Sequence, residues 1–297
     1  MKLSDRAILV QLGISTWSAN KLDKEISAET NAFKGTVTGA GRYHKSLLPM
    51  CDLLDDIKKK ATLIRTKFYD NTLPWGVKGI QILPTANYLT FMTEFRKEKS
   101  EYEYLVRQFA PAYPQLVMDA QRFLGSAYKA SDYPDASDIA SKFKMDMQVM
   151  PVPNGDFRVN IADEELERIQ QEVTARVKQA GQQAMQDVWQ RLYDKVKHLA
   201  DKMNDPKAVF RDSTLNHLVD LCELLPRLNV MDDPNLEAMR QEVEGKLAGY
   251  NPDALRVDVN ARQTAGKEAN EIAAKMAAFM GVLKGHYLTS CSSRWTD

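Results

Sequence analysis

Cysteine is scarce in this chain: Cys51, Cys222 and Cys291 are the only three in 297 residues. An odd number at wide spacing suggests neither a disulfide framework nor a zinc site. The scarcity fits a reducing compartment, so a cytoplasmic location is expected. Long apolar runs are missing as well. No window approaches the roughly 18 residues that a membrane helix needs. Ala7 to Val10 is too short for the core of a signal peptide. There is no excess of charge of either sign, with 40 basic and 40 acidic side chains. A dedicated binder of bare nucleic acid draws much of its affinity from a basic excess, so any such contact here has to be a local patch.

Catalytic patterns are equally sparse. None of the four histidines, His44, His198, His217 and His286, is paired with a Cys or carboxylate at a reliable metal-ligand spacing, and no His-Glu-x-x-His occurs. Gly-x-Ser-x-Gly, Asp-Phe-Gly and Cys-x-x-Cys do not occur. Asp163, Glu164, Glu165 and Glu167 cluster where a helix is expected to begin, and the helix dipole explains negative charge there without catalysis. No catalytic residue, metal ligand or cofactor is assigned from the sequence.

What the chain does have is one uninterrupted amphipathic run from Asp163 to Met203, with no proline and a single glycine, Gly181. Apolar residues from Leu166 to Met203 recur in ten steps over 37 positions, a mean spacing of 3.7. That spacing keeps one stripe on one helical face. The rod it predicts is roughly 60 Å long.

Around this rod the pattern predicts a mainly α fold, an elongated helical bundle with a small β component. A strand is expected at about 7–14 and a hairpin at about 143–161, where Phe143, Met145, Met147 and Val149 alternate with polar residues and Asn154-Gly155 supplies a turn. Helices are expected from Trp17 to Phe33 behind a Ser15 or Thr16 cap, from Ser46 to Tyr69, and from Thr85 to Phe109. Pro111 and Pro114 are expected to break the chain before another helix at 115–128. The C-terminal helices fall at about 211–228, 234–248 and 259–281. The hairpin marks a division into 1–142 and 143–297, or a turn within one continuous domain.

Three stretches are candidate sites. Gly35 to Ser46 is glycine-rich and basic, but Gly41 is followed by Arg42 and the Lys45-Ser46 pair comes too late for a Walker loop. Arg42, His44 and Lys45 are nevertheless candidates to hold an anion. Lys58, Lys59, Lys60, Arg65 and Lys67, followed by Phe68, Tyr69 and Trp75, are candidates to track a single strand by charge and stacking. A solvated helix face is the plainer explanation, since Asp52, Asp55 and Asp56 precede them. In the last helix Ala261, Ala265, Ala269, Ala273 and Ala277 share a face and permit close helix approach. Ala265, Ala269, Ala273, Met276 and Phe279 are therefore candidate helix–helix interface residues.

Several segments carry a resemblance: Leu3-Ser4-Asp5-Arg6-Ala7, Leu12-Gly13-Ile14-Ser15-Thr16-Trp17, Gly39-Ala40-Gly41-Arg42-Tyr43 and Leu83-Pro84-Thr85-Ala86-Asn87-Tyr88. Together they resemble a family of bacteriophage and prophage proteins without an established activity, whose genes often neighbour those of a MoxR-type AAA+ ATPase and a von Willebrand A-like protein. The resemblance implies a phage origin, the host cytoplasm and an ATPase as a partner, and it transfers no site residue. The function expected is a non-enzymatic interaction or assembly protein of a phage-encoded complex. The alternatives are a nucleic-acid contact through 58–75 and an enzyme with a site near the 35–46 loop.

Overall fold

A computed structural model describes residues 2–154, 162–205 and 210–291, with side chains through 281. The chain is mainly helical with a small antiparallel sheet. It divides into two compact units. The first comprises Met1–Gln11, Tyr69–Phe91 and Val149–Asp297, and the second Leu12–Phe68 and Met92–Gln148. The chain crosses between them after residues 11, 68, 91 and 148.

In the first unit, β1 (Ala7–Ser15) pairs antiparallel with β5 (Ile80–Pro84), Leu9 facing Ile82. The two-residue β4 (Leu73–Pro74) flanks β5. Leu9, Leu73 and Ile82 are all buried, and so are Val10 and Leu83, which point to the other face of the paired strands. The sheet order is β4-β5-β1-β6, where β6 (Lys144–Pro151) is the outgoing arm of the expected hairpin. Its return arm falls outside the described residues.

The rod is present: α4 runs from Asp163 to Asn204 without interruption. From Ala180 onward its predicted stripe is buried, through Ala184, Val188, Leu192, Val196, Leu199 and Met203. Helix α8 (Val259–Cys291) packs along it. At Gly266 an added Cβ would lie 3.1 Å from Met203 Cβ and 2.9 Å from Asn204 Oδ1, so a glycine permits the closest approach. The Arg262 guanidinium donates to the carbonyls of Lys202 (2.9 Å), Met203 (3.2 Å) and Asp205 (2.7 Å), which α4 cannot satisfy internally. Helices α5 (Asp212–Leu228), α6 (Pro234–Val243), which runs into a π turn over Glu244–Ala248, and the short α7 (Pro252–Val257) complete this unit. Trp189, almost fully buried, donates Nε1–H to Asp233 Oδ2 at 2.9 Å, while Oδ1 of the same carboxylate caps α6 through the Asn235 amide.

The second unit departs more from expectation. The helix expected from Trp17 starts only at Lys24: α1 spans Lys24–Phe33. Asp23, rather than Ser15 or Thr16, caps it by accepting from the Glu25 and Ile26 amides at 3.2 Å each. The preceding residues form β2 (Asn20–Asp23), which pairs with β3 (Tyr43–Ser46) where a loop and a helix start were expected. Helix α2 therefore begins at Asp52 and runs to Asp70, burying Leu54, Ile57, Ala61, Ile64 and Phe68.

The larger correction is α3, one helix from Thr85 to Leu124 that passes through Pro111 and Pro114. Both prolines are exposed, whereas Phe109 and Tyr113, four residues apart, are buried on the opposite side. That packing carries the helix through the two missing amide donors.

Candidate interaction surface

The structure separates the members of the 35–46 loop. In β3, successive side chains point to opposite faces. Arg42 and His44 are exposed, whereas Lys45 is almost fully buried. Lys45 Nζ lies 2.9 Å from Asp132 Oδ2 and 3.1 Å from Asp23 Oδ2, and it donates to the Ala127 carbonyl at 2.6 Å. Burial opposes its charge, but hydrogen bonds and attraction from Asp132 and Asp23 prevail and hold its pKa above the ordinary lysine value. The backbone amide of Ile26, followed by Lys45, holds the Asp23 carboxyl below its usual range. The expected anion site thus loses its lysine to an internal ion pair.

The 58–75 region is engaged in the same way. Lys60 and Lys67 both pair with the buried Glu98, and Lys60 also pairs with Glu101. Desolvation raises the Glu98 pKa, yet the two lysines outweigh it and leave the carboxyl below its ordinary value. Arg65 donates to the Ile14 carbonyl at 3.0 Å, and Lys59 lies 3.2 Å from Asp56. Of the expected stacking surfaces, Phe68 and Trp75 are core residues, whereas Tyr69 is exposed. Lys58 and Lys59 line a shallow exposed groove with Asp55.

Of the expected seam in α8, Ala265, Ala269, Ala273 and Met276 are buried against the chain's own core, so this interface is internal. Phe279 is partly exposed and stacks on Trp189 with ring centroids 5.8 Å apart. Ala277 is exposed.

Beside that stacked pair, a cavity of about 270 Å³ is lined by Gln183, Gln186, Asp187, Gln190 and Met280. Desolvation pushes the Asp187 carboxyl above its usual range, against the opposing charge of Arg191. The Arg191 Nε lies 2.7 Å from Asp187 Oδ2, and its outer nitrogens donate to the carbonyls of Asp70 and Thr72 at 2.8 Å each. Asp187 therefore orients a cation that ties α4 to the turn before β4. It is the one ionisable group among the described lining residues, which therefore supply no acid–base pair between them.

The feature that stands apart is the start of α4. Leu166, Ile169, Val173 and Val177 continue the buried stripe but are only half covered. Next to Val173 and Val177 lies a mainly apolar groove of about 270 Å³, whose other lining residues include Leu3, Lys178, Gly181 and the exposed Met231. Arg168 is held by Glu165 and Glu172 along the same helix, whereas Arg176 and Lys178 have no ion-pair partner among the described residues. The stripe was readable in the sequence; which part of it other elements cover was not.

No described helix is long and apolar enough to cross a membrane. Among the described residues no group of three His, Cys, Asp or Glu could hold a metal ion. No family model, curated protein or solved structure matches the chain.

Proposed function

We propose that this is a non-enzymatic interaction and assembly protein, a helical bundle that uses the first four turns of α4 to dock a second copy of itself. One observation carries the reading: a single stripe is buried from Ala180 onward and only half covered from Leu166 to Val177. Apolar surface left in water along a regular helix is a site for another helix.

Charge selects the occupant and its direction. Glu165 and Glu167 flank the stripe on opposite sides near its start, and Arg176 and Lys178 flank it near Val177. At 100° per residue Glu165, whose carboxylate is held by Arg168 within the chain, and Arg176 lie on the same flank, and an antiparallel copy brings Arg176 of one chain level with Glu165 of the other. A parallel copy would set like charges side by side.

Sedimentation equilibrium of the full chain tests this. A reversible dimer is expected, with Val173→Glu shifting it to monomer. Arg176→Glu should weaken it about tenfold, and combination with Glu165→Arg should restore it, since flanking pairs act on partner choice. A chain that stays monomeric at its highest soluble concentration, or a charge swap that restores nothing, would overturn the reading.

The setting we propose, a phage-encoded complex in the host cytoplasm with an AAA+ ATPase as a partner, rests on the family resemblance alone. Affinity purification from infected cells followed by measurement of the complex mass tests it. Recovery without an ATPase would remove that partner while leaving self-association untouched.

A further inference from the structure

A second surface lies at the opposite end of α4 and has a different character. Lys195, His198 and Lys202 recur every three to four residues and share a face of that helix. Across from them, Arg211 precedes α5 and His217 follows within it, with the hydroxyls of Ser213 and Thr214 alongside. These side chains line a groove of about 470 Å³ that contains no carboxylate among its described lining residues.

Three of the neighbouring acids are engaged elsewhere. Asp201 pairs with Lys197 at 2.7 Å, Asp212 pairs with Arg256, and Asp194 accepts from Gln190 at 2.7 Å. Among the described residues none of the five basic groups forms an ion pair. In a chain whose total charge is zero, three permanent cations and two imidazoles converge on one concavity with no carboxylate among its described lining residues. Such an arrangement is repulsive within itself and attracts an anion.

We infer that this groove binds the phosphate group of a small phosphorylated molecule. Guanidinium, ammonium, imidazole and hydroxyl donors all match phosphate oxygens, and the charged ones give the stronger bonds. The volume suits a small ligand. A polynucleotide would need a basic track continuing beyond the groove, and the chain has no net positive charge to supply one.

Isothermal titration calorimetry of the full chain with inorganic pyrophosphate, at fixed ionic strength, tests the inference. Saturable binding at one site per chain is expected. Lys202→Ser combined with Arg211→Ser should weaken it by at least about tenfold, the scale of a lost charge-assisted contact. Lys58→Ser with Lys59→Ser, on the second unit, should leave it unchanged. Should the first double variant fail to fold, Lys195→Gln on the exposed face serves instead, with a loss of about threefold.

No saturable binding by the unaltered chain would overturn the inference, as would equal losses in both double variants. Binding of a single-stranded oligonucleotide, but not pyrophosphate, with the same sensitivity to Lys202 and Arg211 would replace it with a nucleic-acid groove. Sedimentation and calorimetry report on opposite ends of α4, so either reading can fail without the other.

Discussion

The two units are held together by different chemistry. The first is organised along one greasy helix face, with Val188, Trp189, Leu192 and Val196 in a continuous core. The second ties its segments with buried polar bonds. Lys45 joins Asp23 to Asp132, Glu98 joins Lys60 to Lys67, and three tyrosine hydroxyls reach distant carbonyls: Tyr102 to Ser15, Tyr113 to Pro134 and Tyr133 to Leu47. Apolar burial is non-directional and tolerates some repacking. A buried ion pair is directional, and losing one partner leaves the other charged and unsolvated.

The largest expected effect belongs to the first unit. Trp189→Ala removes a buried indole together with its bond to Asp233, and should cost about 4 kcal/mol, read as a lower urea midpoint. A cost below about 1 kcal/mol would show that the core does not centre on this residue.

Next comes Lys45→Met, which leaves Asp23 and Asp132 facing each other without their cation. We expect a loss of about 3 kcal/mol by thermal denaturation, much of it recovered when Asp23→Asn and Asp132→Asn are added. No recovery in the triple variant would mean that Lys45 matters for its packing and not its charge.

The smallest effect is on pH dependence, and it should fall unevenly on the two units. Asp23 and Glu98 have pKa values below those of the unfolded chain. Their contribution is therefore present above the unfolded carboxylate values and is lost as pH falls through the lower folded ones. Lys45 is shifted upward, so its contribution holds below the unfolded lysine value and fades only in strong alkali. Hydrogen exchange on acidification should accordingly rise first in segments 20–46 and 92–104. Simultaneous loss of protection around Val188 and Leu192 would erase the distinction.

The same contrast explains what could be read from the sequence. The α4 stripe is local periodicity, and its limits were legible to within a residue or two. The pairing of Lys45 with Asp132 joins residues far apart in sequence and leaves no periodic mark. The β2–β3 ladder was missed because its four-residue strands are too short to show alternation. The continuity of α3 was missed because proline chemistry outweighs the spacing of Tyr102, Phe109 and Tyr113 when tertiary support is unseen. Among the sites, basic residues adjacent in sequence were conspicuous, yet Lys45, Lys60 and Lys67 are engaged internally. The cations that do converge, Lys195, Lys202 and Arg211, are spread over a helix and the approach to the next, and only folding brings them together.

The Arg262 contacts with the end of α4 bear on how the protein is made. Arg262 and Lys202 are 60 positions apart, so ribosomes finish the rod well before its terminal carbonyls find their donor. For that interval the side from Ala180 to Met203 lacks the helix that will seal it. Emerging chains pass through an interval in which that apolar side is open to premature aggregation.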